Sequence, residues 1–179
     1  MSDSVNITLI GMPGSGKTTL GRRLANMRGM KFVDTDRVIE QAVNMKIQEI
    51  VDRKGVYYLR DLEGDILSGL ALKNHVIATG GSAVYSDSAM RHLGSMGALV
   101  YLKISLRTLT RRVNNESSRG LAKMKSHSLP RLYNERVALY EAAADITVSN
   151  DLPMTAVGLG GLNKQLDGFF MNDRGECSL

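Results

Sequence analysis

Short apolar runs alternate along the chain with segments whose apolar residues recur at helical spacing. The runs predict five β-strands, at residues 5–10, 31–33, 75–78, 98–104 and 146–148. The periodic segments predict helices over residues 20–27, 38–43, 56–70, 129–144 and 153–170, with Ser86 and Ser105 as N-caps of two more. Strand–helix alternation is typical of a parallel sheet covered on both faces. We therefore predict an α/β fold.

Composition narrows the class of protein without changing this prediction. A chain of 179 residues favours one globular domain, placed at residues 1–170, with a disordered tail at 171–179. The 43% hydrophobic content excludes a wholly disordered chain. The single cysteine, Cys177, allows no internal disulfide and receives no role. No signal peptide or membrane-length apolar run is visible, so we expect a cytoplasmic monomer without a membrane partner.

The positive charge of the chain is local. Residues 103–131 contain eight Lys and Arg and a single acid, which is a net +7 in a chain whose total is +5. Such a patch fits nucleic acid or a pocket for a polyphosphate. Residues 11–18 predict a nucleotide site, and the patch falls on its side of the molecule. We therefore favour the polyphosphate and expect no nucleic-acid partner.

Residues 11–18, GMPGSGKT, match the phosphate-binding P-loop motif at every fixed position and lie between a predicted strand and a predicted helix. Glycines let successive N–H groups ring a phosphate, and the helix N-terminus adds partial positive charge. Lys17 can then reach the β- and γ-phosphates, while the Thr18 hydroxyl can ligate Mg²⁺. The motif predicts an ATP–Mg²⁺ site.

Asp34 and Asp36 follow the second predicted strand. In an extended segment, carboxylates two positions apart point the same way, so one could complete a metal shell and the other accept a substrate hydroxyl. Capping of the next helix by either residue is the alternative interpretation.

Two further features are candidates for an acceptor site. Arg60 and Glu63 lie three positions apart on a mostly apolar helix, either as a surface pair or with Arg60 at the core margin, where it suits a carboxylate. Gly80 and Gly81 follow a predicted strand, either as a plain tight turn or as backbone that a ligand approaches closely.

In this order, the motifs resemble the shikimate kinase family of small P-loop kinases over residues 5–153. The resemblance rests on GMPGSGKT at 11–18, FVDTD at 32–36, LRDLE at 59–63, ATGG at 78–81, the Arg119 region and ERVALYEAAADITV at 135–148. It implies a three-layer α/β/α P-loop fold like that of nucleoside-monophosphate kinases. A five-stranded parallel sheet would carry a mobile lid at about 114–128. The implied activity is ATP-dependent phosphorylation of the shikimate 3-hydroxyl, a step of aromatic amino-acid biosynthesis.

The resemblance also implies residue roles. Catalytic residues would be Lys17, Asp36 and Arg119, and the metal residues Thr18 and Asp34. The nucleotide residues would be Gly14, Ser15, Gly16, Lys17, Thr18, Thr19, Arg112, Arg119, Asn150 and Pro153. The shikimate residues would be Asp36, Arg60, Gly80, Gly81, Ser82 and Arg136, with both arginines on the carboxylate.

The chain departs from the family pattern at three positions: Ser82 replaces a glycine, Gly120 a proline and Leu59 a phenylalanine. Ser82 costs little if its φ is negative, as we predict, and its hydroxyl then adds a donor. Two alternatives stay open, a kinase for another polyhydroxy acid such as gluconate and a nucleotide-binding module without turnover.

Overall fold

The computed structural model describes residues 5–115, 129–152 and 155–172. Its strands are β1 (Asn6–Ile10), β2 (Lys31–Asp34), β3 (His75–Ala78), β4 (Gly97–Lys103) and β5 (Ile146–Ser149). Its helices are α1 (Lys17–Arg28), α2 (Thr35–Val43), α3 (Ile47–Lys54), α4 (Val56–Ser68), α5 (Asp87–Ser95), α6 (Leu106–Asn115), α7 (Leu129–Ala143) and α8 (Ala156–Asn172). A 3-10 helix, Ala83–Tyr85, follows β3. Within the described ranges, no helix is long and apolar enough to cross a membrane.

The five strands form one parallel sheet in the order β2-β3-β1-β4-β5. The register sets Leu9 of β1 and Asp34 of β2 each opposite Ala78 of β3. The segments that follow these strands therefore begin at the same edge of the sheet. In open α/β sheets, this carboxyl edge is where ligands bind.

Apolar side chains cover both faces of the sheet, which gives the predicted three layers. On one face, residues such as Leu67, Leu93 and Tyr140 from α4, α5 and α7 pack against β1, β3 and β4. On the other, Leu20 and Leu24 of α1 pack with residues of α8. All five strands and the N-caps Ser86 and Ser105 are confirmed.

Three details differ from the sequence prediction. α3 is a separate helix where none was predicted. β2 ends at Asp34 and α2 begins at Thr35, so the two aspartates occupy a strand–helix junction rather than an extended segment. α8 runs to Asn172, two residues into the segment predicted as a tail. The rest of that tail, with Cys177, lies outside the described residues, as do positions 116–128 of the predicted lid.

Candidate active site

The P-loop connects β1 to α1 with backbone angles that its glycines make possible. Gly14 has φ of 74° and Gly16 has φ of 96°, both in the left-handed region. A Cβ on Gly16 would also lie 2.7 Å from Nδ2 of Asn150. Only glycine satisfies both constraints without strain, and the loop is thereby compact enough to ring a phosphate.

Lys17, the first residue of α1, is buried with its ammonium group turned into the loop. Its Nζ donates to the carbonyl oxygens of Gly11 at 2.7 Å and Met12 at 2.9 Å. Burial lowers the pKa of Lys17 to about 8, an effect opposed by the carboxylates of Asp36, Glu63 and Asp34. The group is mainly protonated at neutral pH and lies at the cavity wall.

Thr18 and Asp34 bring two oxygen ligands together beside the P-loop. Thr18 Oγ1 donates to Asp34 Oδ2 at 2.8 Å. The other carboxylate oxygen of Asp34, Oδ1, accepts from the N–H of Asp36 at 3.2 Å and so caps α2. The capping interpretation of Asp34 is confirmed, and it uses only Oδ1, so the metal role of Asp34 stays a prediction that Oδ2 could serve.

Asn150 and Arg112 hold the P-loop against the end of β5. Asn150 Nδ2 donates to the carbonyl of Ser15 at 2.7 Å, and Asn150 is buried. Arg112 on α6 donates from Nη1 to Gly14 O at 2.9 Å and from Nη2 to Asn150 O at 2.7 Å. These contacts place both residues at the P-loop, and their role in nucleotide binding stays a prediction.

The turn after β3 packs directly on two carboxyl groups. A Cβ on Gly80 would overlap Glu63 Oε1 and lie 3.1 Å from Asp36 Oδ1. One on Gly81 would lie 2.5 Å from Cδ of Pro13. Gly80 and Gly81 are therefore needed for close packing against these side chains, and close approach of a ligand to their backbone stays a prediction.

Ser82 has the predicted negative φ, −99°, and its hydroxyl donates to Glu63 Oε2. Glu63 is 2% exposed, so it is not the partner of Arg60 in a surface pair. Burial raises the pKa of Glu63 to about 7, with the Ser82 bond and the charges of Arg136 and Lys17 opposing it and Asp36 adding to it.

Arg60 of α4 and Arg136 of α7 meet at one aromatic ring. The Cζ of Arg60 lies 3.5 Å from the ring centroid of Tyr85, and the Cζ of Arg136 lies 5.2 Å from it. The two guanidinium groups thus converge near the Gly81 turn, where Arg136 Nη1 would be 3.2 Å from an added Cβ. This convergence supplies two cations for one anionic group.

A cavity of about 600 Å³ extends from the P-loop to the turn after β3. Its lining residues include the following predicted ones: Gly14, Gly16, Lys17, Thr18, Thr19, Asp34, Asp36, Gly80, Gly81 and Ser82. Ser15, Arg112 and Asn150 lie at the P-loop, and Arg60 and Arg136 at Tyr85. Arg119 and Pro153 fall outside the described residues.

Sequence reasoning missed the roles of Glu63, Tyr85 and Tyr140. The Tyr140 hydroxyl, on α7, donates to the carbonyl of Gly81 at 2.6 Å and so fixes the turn after β3. Tyr140 stands inside one of the motifs used above, so its spacing from Arg136 was available as a signal. Nothing in the local pattern around Tyr85 indicated its contacts.

The model of the shikimate kinase family matches residues 13–157. The chain belongs to the shikimate kinase family. It is 38% identical over 150 residues to a shikimate kinase from Paracidovorax citrulli, covering 81% of this chain and 82% of that one. A shikimate kinase from Persephonella marina is 37% identical over 147 residues, covering 82% and 89%.

Solved structures agree with this family membership. A shikimate kinase from Acinetobacter baumannii in complex with shikimate superimposes with a TM-score of 0.80 at 28% identity, over 95% of this chain and 94% of that one. A gluconokinase from Sinorhizobium meliloti reaches a TM-score of 0.52 at 16% identity, over 96% and 99%. The second likeness shows a shared fold alone.

Proposed function

We propose that this chain is an ATP-dependent kinase that transfers the γ-phosphoryl group of ATP to the 3-hydroxyl of shikimate, giving shikimate 3-phosphate and ADP. The observation that carries the proposal is the pair of arginines, Arg60 and Arg136, which meet at Tyr85 beside the Gly81 turn that lines the same cavity as the P-loop. Two such cations select an acidic acceptor. The named activity of the shikimate kinase relatives supports shikimate as that acid.

The P-loop would bind the phosphates of ATP through its N–H groups and Lys17. Lys17 would move its ammonium from the carbonyl oxygens of Gly11 and Met12 to the β- and γ-phosphates. Arg112 and Asn150 would keep the loop in its binding conformation. Arg119 is proposed, on the family resemblance, as the further cation on the transferred group.

The residues beside the P-loop fit Mg²⁺, because Thr18 and Asp34 present a hydroxyl and a carboxylate oxygen 2.8 Å apart. Thr18 and Asp34 would hold the ion, which neutralises phosphate charge when bound. Both residues would offer oxygen atoms, which are the ligand atoms that Mg²⁺ prefers.

Asp36 would meet the reacting hydroxyl and orient or deprotonate it. It lines the same cavity as Lys17 and lies against Gly80, so a hydroxyl bound beside it would share the cavity with the transferred phosphate. Shikimate would be bound at both ends, with its carboxylate on Arg60 and Arg136 and its reacting hydroxyl at Asp36. Catalysis would then come mainly from positioning and charge neutralisation.

The test is ADP release measured with shikimate, quinate, gluconate and no acceptor. We expect turnover that depends on shikimate, and an Arg136→Ala variant whose KM for shikimate rises with a smaller change in the KM for ATP. Turnover with gluconate alone would overturn the proposal in favour of another acceptor. ATP binding without turnover on any acceptor would indicate a nucleotide-binding module.

A further inference from the structure

Tyr85 stands where the two arginines of the acceptor side meet. It ends the 3-10 helix that follows the Gly80–Gly81–Ser82 turn. The Cζ of Arg60 is 3.5 Å from its ring centroid, which is face-on stacking distance, and the Cζ of Arg136 is 5.2 Å away. One ring therefore contacts cations from two helices, α4 and α7.

The hydroxyl of Tyr85 adds a polar link to α7. It accepts a hydrogen bond from Nε of Arg136 at 3.3 Å and donates one to Oε1 of Glu135 at 2.7 Å. The ring thus contacts both arginines, and the hydroxyl bonds Arg136 and Glu135. Arg60 is stacked by the ring, and Arg136 is both near the ring and bonded at its Nε.

Stacking on a ring face leaves the edge of a guanidinium group free. All five N–H donors of arginine lie in the plane of the group, whereas the ring contacts its face. A stacked arginine can therefore still form two parallel hydrogen bonds to a carboxylate. The stack also restricts a long side chain before the ligand arrives, so less conformational entropy is lost on binding.

We propose that Tyr85 is a positioning residue that holds the guanidinium groups of Arg60 and Arg136 in the orientation that receives the carboxylate of the acceptor. The proposal rests on the proposed function, since it takes that carboxylate to lie on these two arginines. Tyr85 itself is not among the residues that line the cavity between the P-loop and Gly80. Its removal should weaken acceptor binding and leave the chemical step in place.

The experiment compares Tyr85→Leu, Tyr85→Phe and the control Tyr58→Leu with the unmodified chain. Tyr58 lies on α4, and the Nζ of Lys54 is 5.1 Å from its ring centroid, which makes it a matched tyrosine whose cationic neighbour is neither Arg60 nor Arg136. We expect Tyr85→Leu to raise the KM for shikimate about tenfold, with kcat and the KM for ATP within about twofold. Tyr85→Phe keeps the ring and should raise that KM by only about threefold, and Tyr58→Leu should leave it unchanged.

The methyl ester of shikimate separates positioning from a general structural role. The ester lacks the negative charge, so Tyr85→Leu and the unmodified chain should have similar KM values for it. An equal loss for ester and acid would overturn the proposal, as would an unchanged KM for shikimate in Tyr85→Leu. A loss in Tyr85→Phe as large as in Tyr85→Leu would also overturn it, because the hydroxyl rather than the stack would then act.

The proposed function and this inference can fail separately. If the unmodified chain binds shikimate in calorimetry but does not phosphorylate it, the proposed function fails and the same comparison is made on Kd. A Kd that rises about tenfold in Tyr85→Leu would still support positioning by Tyr85. If the unmodified chain does not bind shikimate, both proposals are overturned.

Discussion

Lys17 is buried, and its ammonium group donates hydrogen bonds to two backbone carbonyl oxygens of the P-loop. Lys17→Ala removes a cation aimed at the phosphates, and we expect kcat to fall roughly 10²–10³-fold. The fold should persist, since the lost hydrogen bonds belong to one loop. Steady-state kinetics and thermal melting test this, with Lys31→Ala as the control because Lys31 is exposed on β2. Near-normal turnover in Lys17→Ala would contradict the P-loop assignment.

Glu63 makes the stability of the chain depend on pH. Its pKa is raised from 4.5 to about 7, chiefly by burial, so the folded state holds the proton more tightly than the unfolded state. The stabilisation is fully present below pH 4.5 and is lost as the pH rises through about 7. Other carboxyl groups give the opposite trend, so the effect appears only against a matched variant.

Glu63→Gln supplies that comparison. Relative to it, the free energy of unfolding of the unmodified chain should fall by on the order of 3 kcal/mol between pH 4.5 and pH 8. Urea unfolding at several pH values measures this, and Glu49→Gln, at the surface pair with Arg53, serves as the control. A difference that stays constant with pH, or grows as the pH rises, would contradict a buried proton on Glu63.

At the level of single residues, the sequence predicted the parts of the site that are contiguous. The P-loop and the Asp34–Asp36 pair are short segments whose spacing carries their chemistry. Glu63 looked like half of a surface pair because its hydrogen-bond partner, Ser82, lies 19 positions away. Tyr85 was missed for the same reason, since its arginines come from α4 and α7.

At the level of elements, the strands were predictable because each is a short apolar run, and β4 is buried along nearly its whole length. α3 was not, since it has eight residues with a single buried one, Ile50, and is separated from α4 only by Gly55. Asp34 likewise shows why a junction is hard to predict, because one side chain both caps α2 and accepts a hydrogen bond from Thr18 of the P-loop. The helix α3 and the junction at Asp34 both depend on contacts between elements, which the local sequence pattern does not show.

The link between the end of β5 and the P-loop gives a prediction for an element contact. Asn150→Ala removes the 2.7 Å bond to the Ser15 carbonyl, which loosens the loop on its nucleotide side. The KM for ATP should rise roughly tenfold, while the KM for shikimate stays within about twofold. The control is Asn163→Ala, because Asn163 lies on α8 and accepts a hydrogen bond from Arg28 at the end of α1, away from the P-loop. Equal changes in both KM values would contradict a nucleotide-side role.

At the scale of the whole molecule, strand order places the two halves of the site side by side. β1 lies between β3 and β4, so the P-loop after β1 adjoins the glycine turn after β3, with Asp34 one strand further out. Local patterns predict a parallel sheet but not this order, because each strand would look the same in any position. The order is set by how helices on both faces pack.

This arrangement predicts that each ligand stabilises the fold through a different part of the cavity. At about 100 times its Kd, either ligand should add about 2.7 kcal/mol and raise the Tm by about 5–10 °C. Thermal melting with ATP alone or shikimate alone measures both shifts. Arg136→Ala should lose most of the shift with shikimate and keep the shift with ATP, whereas Asn150→Ala, at about tenfold weaker ATP binding, should lose about half of the shift with ATP and keep the shift with shikimate. Loss of both shifts in either variant would mean that the two halves form one cooperative unit, and the separation of nucleotide and acceptor sides would be wrong.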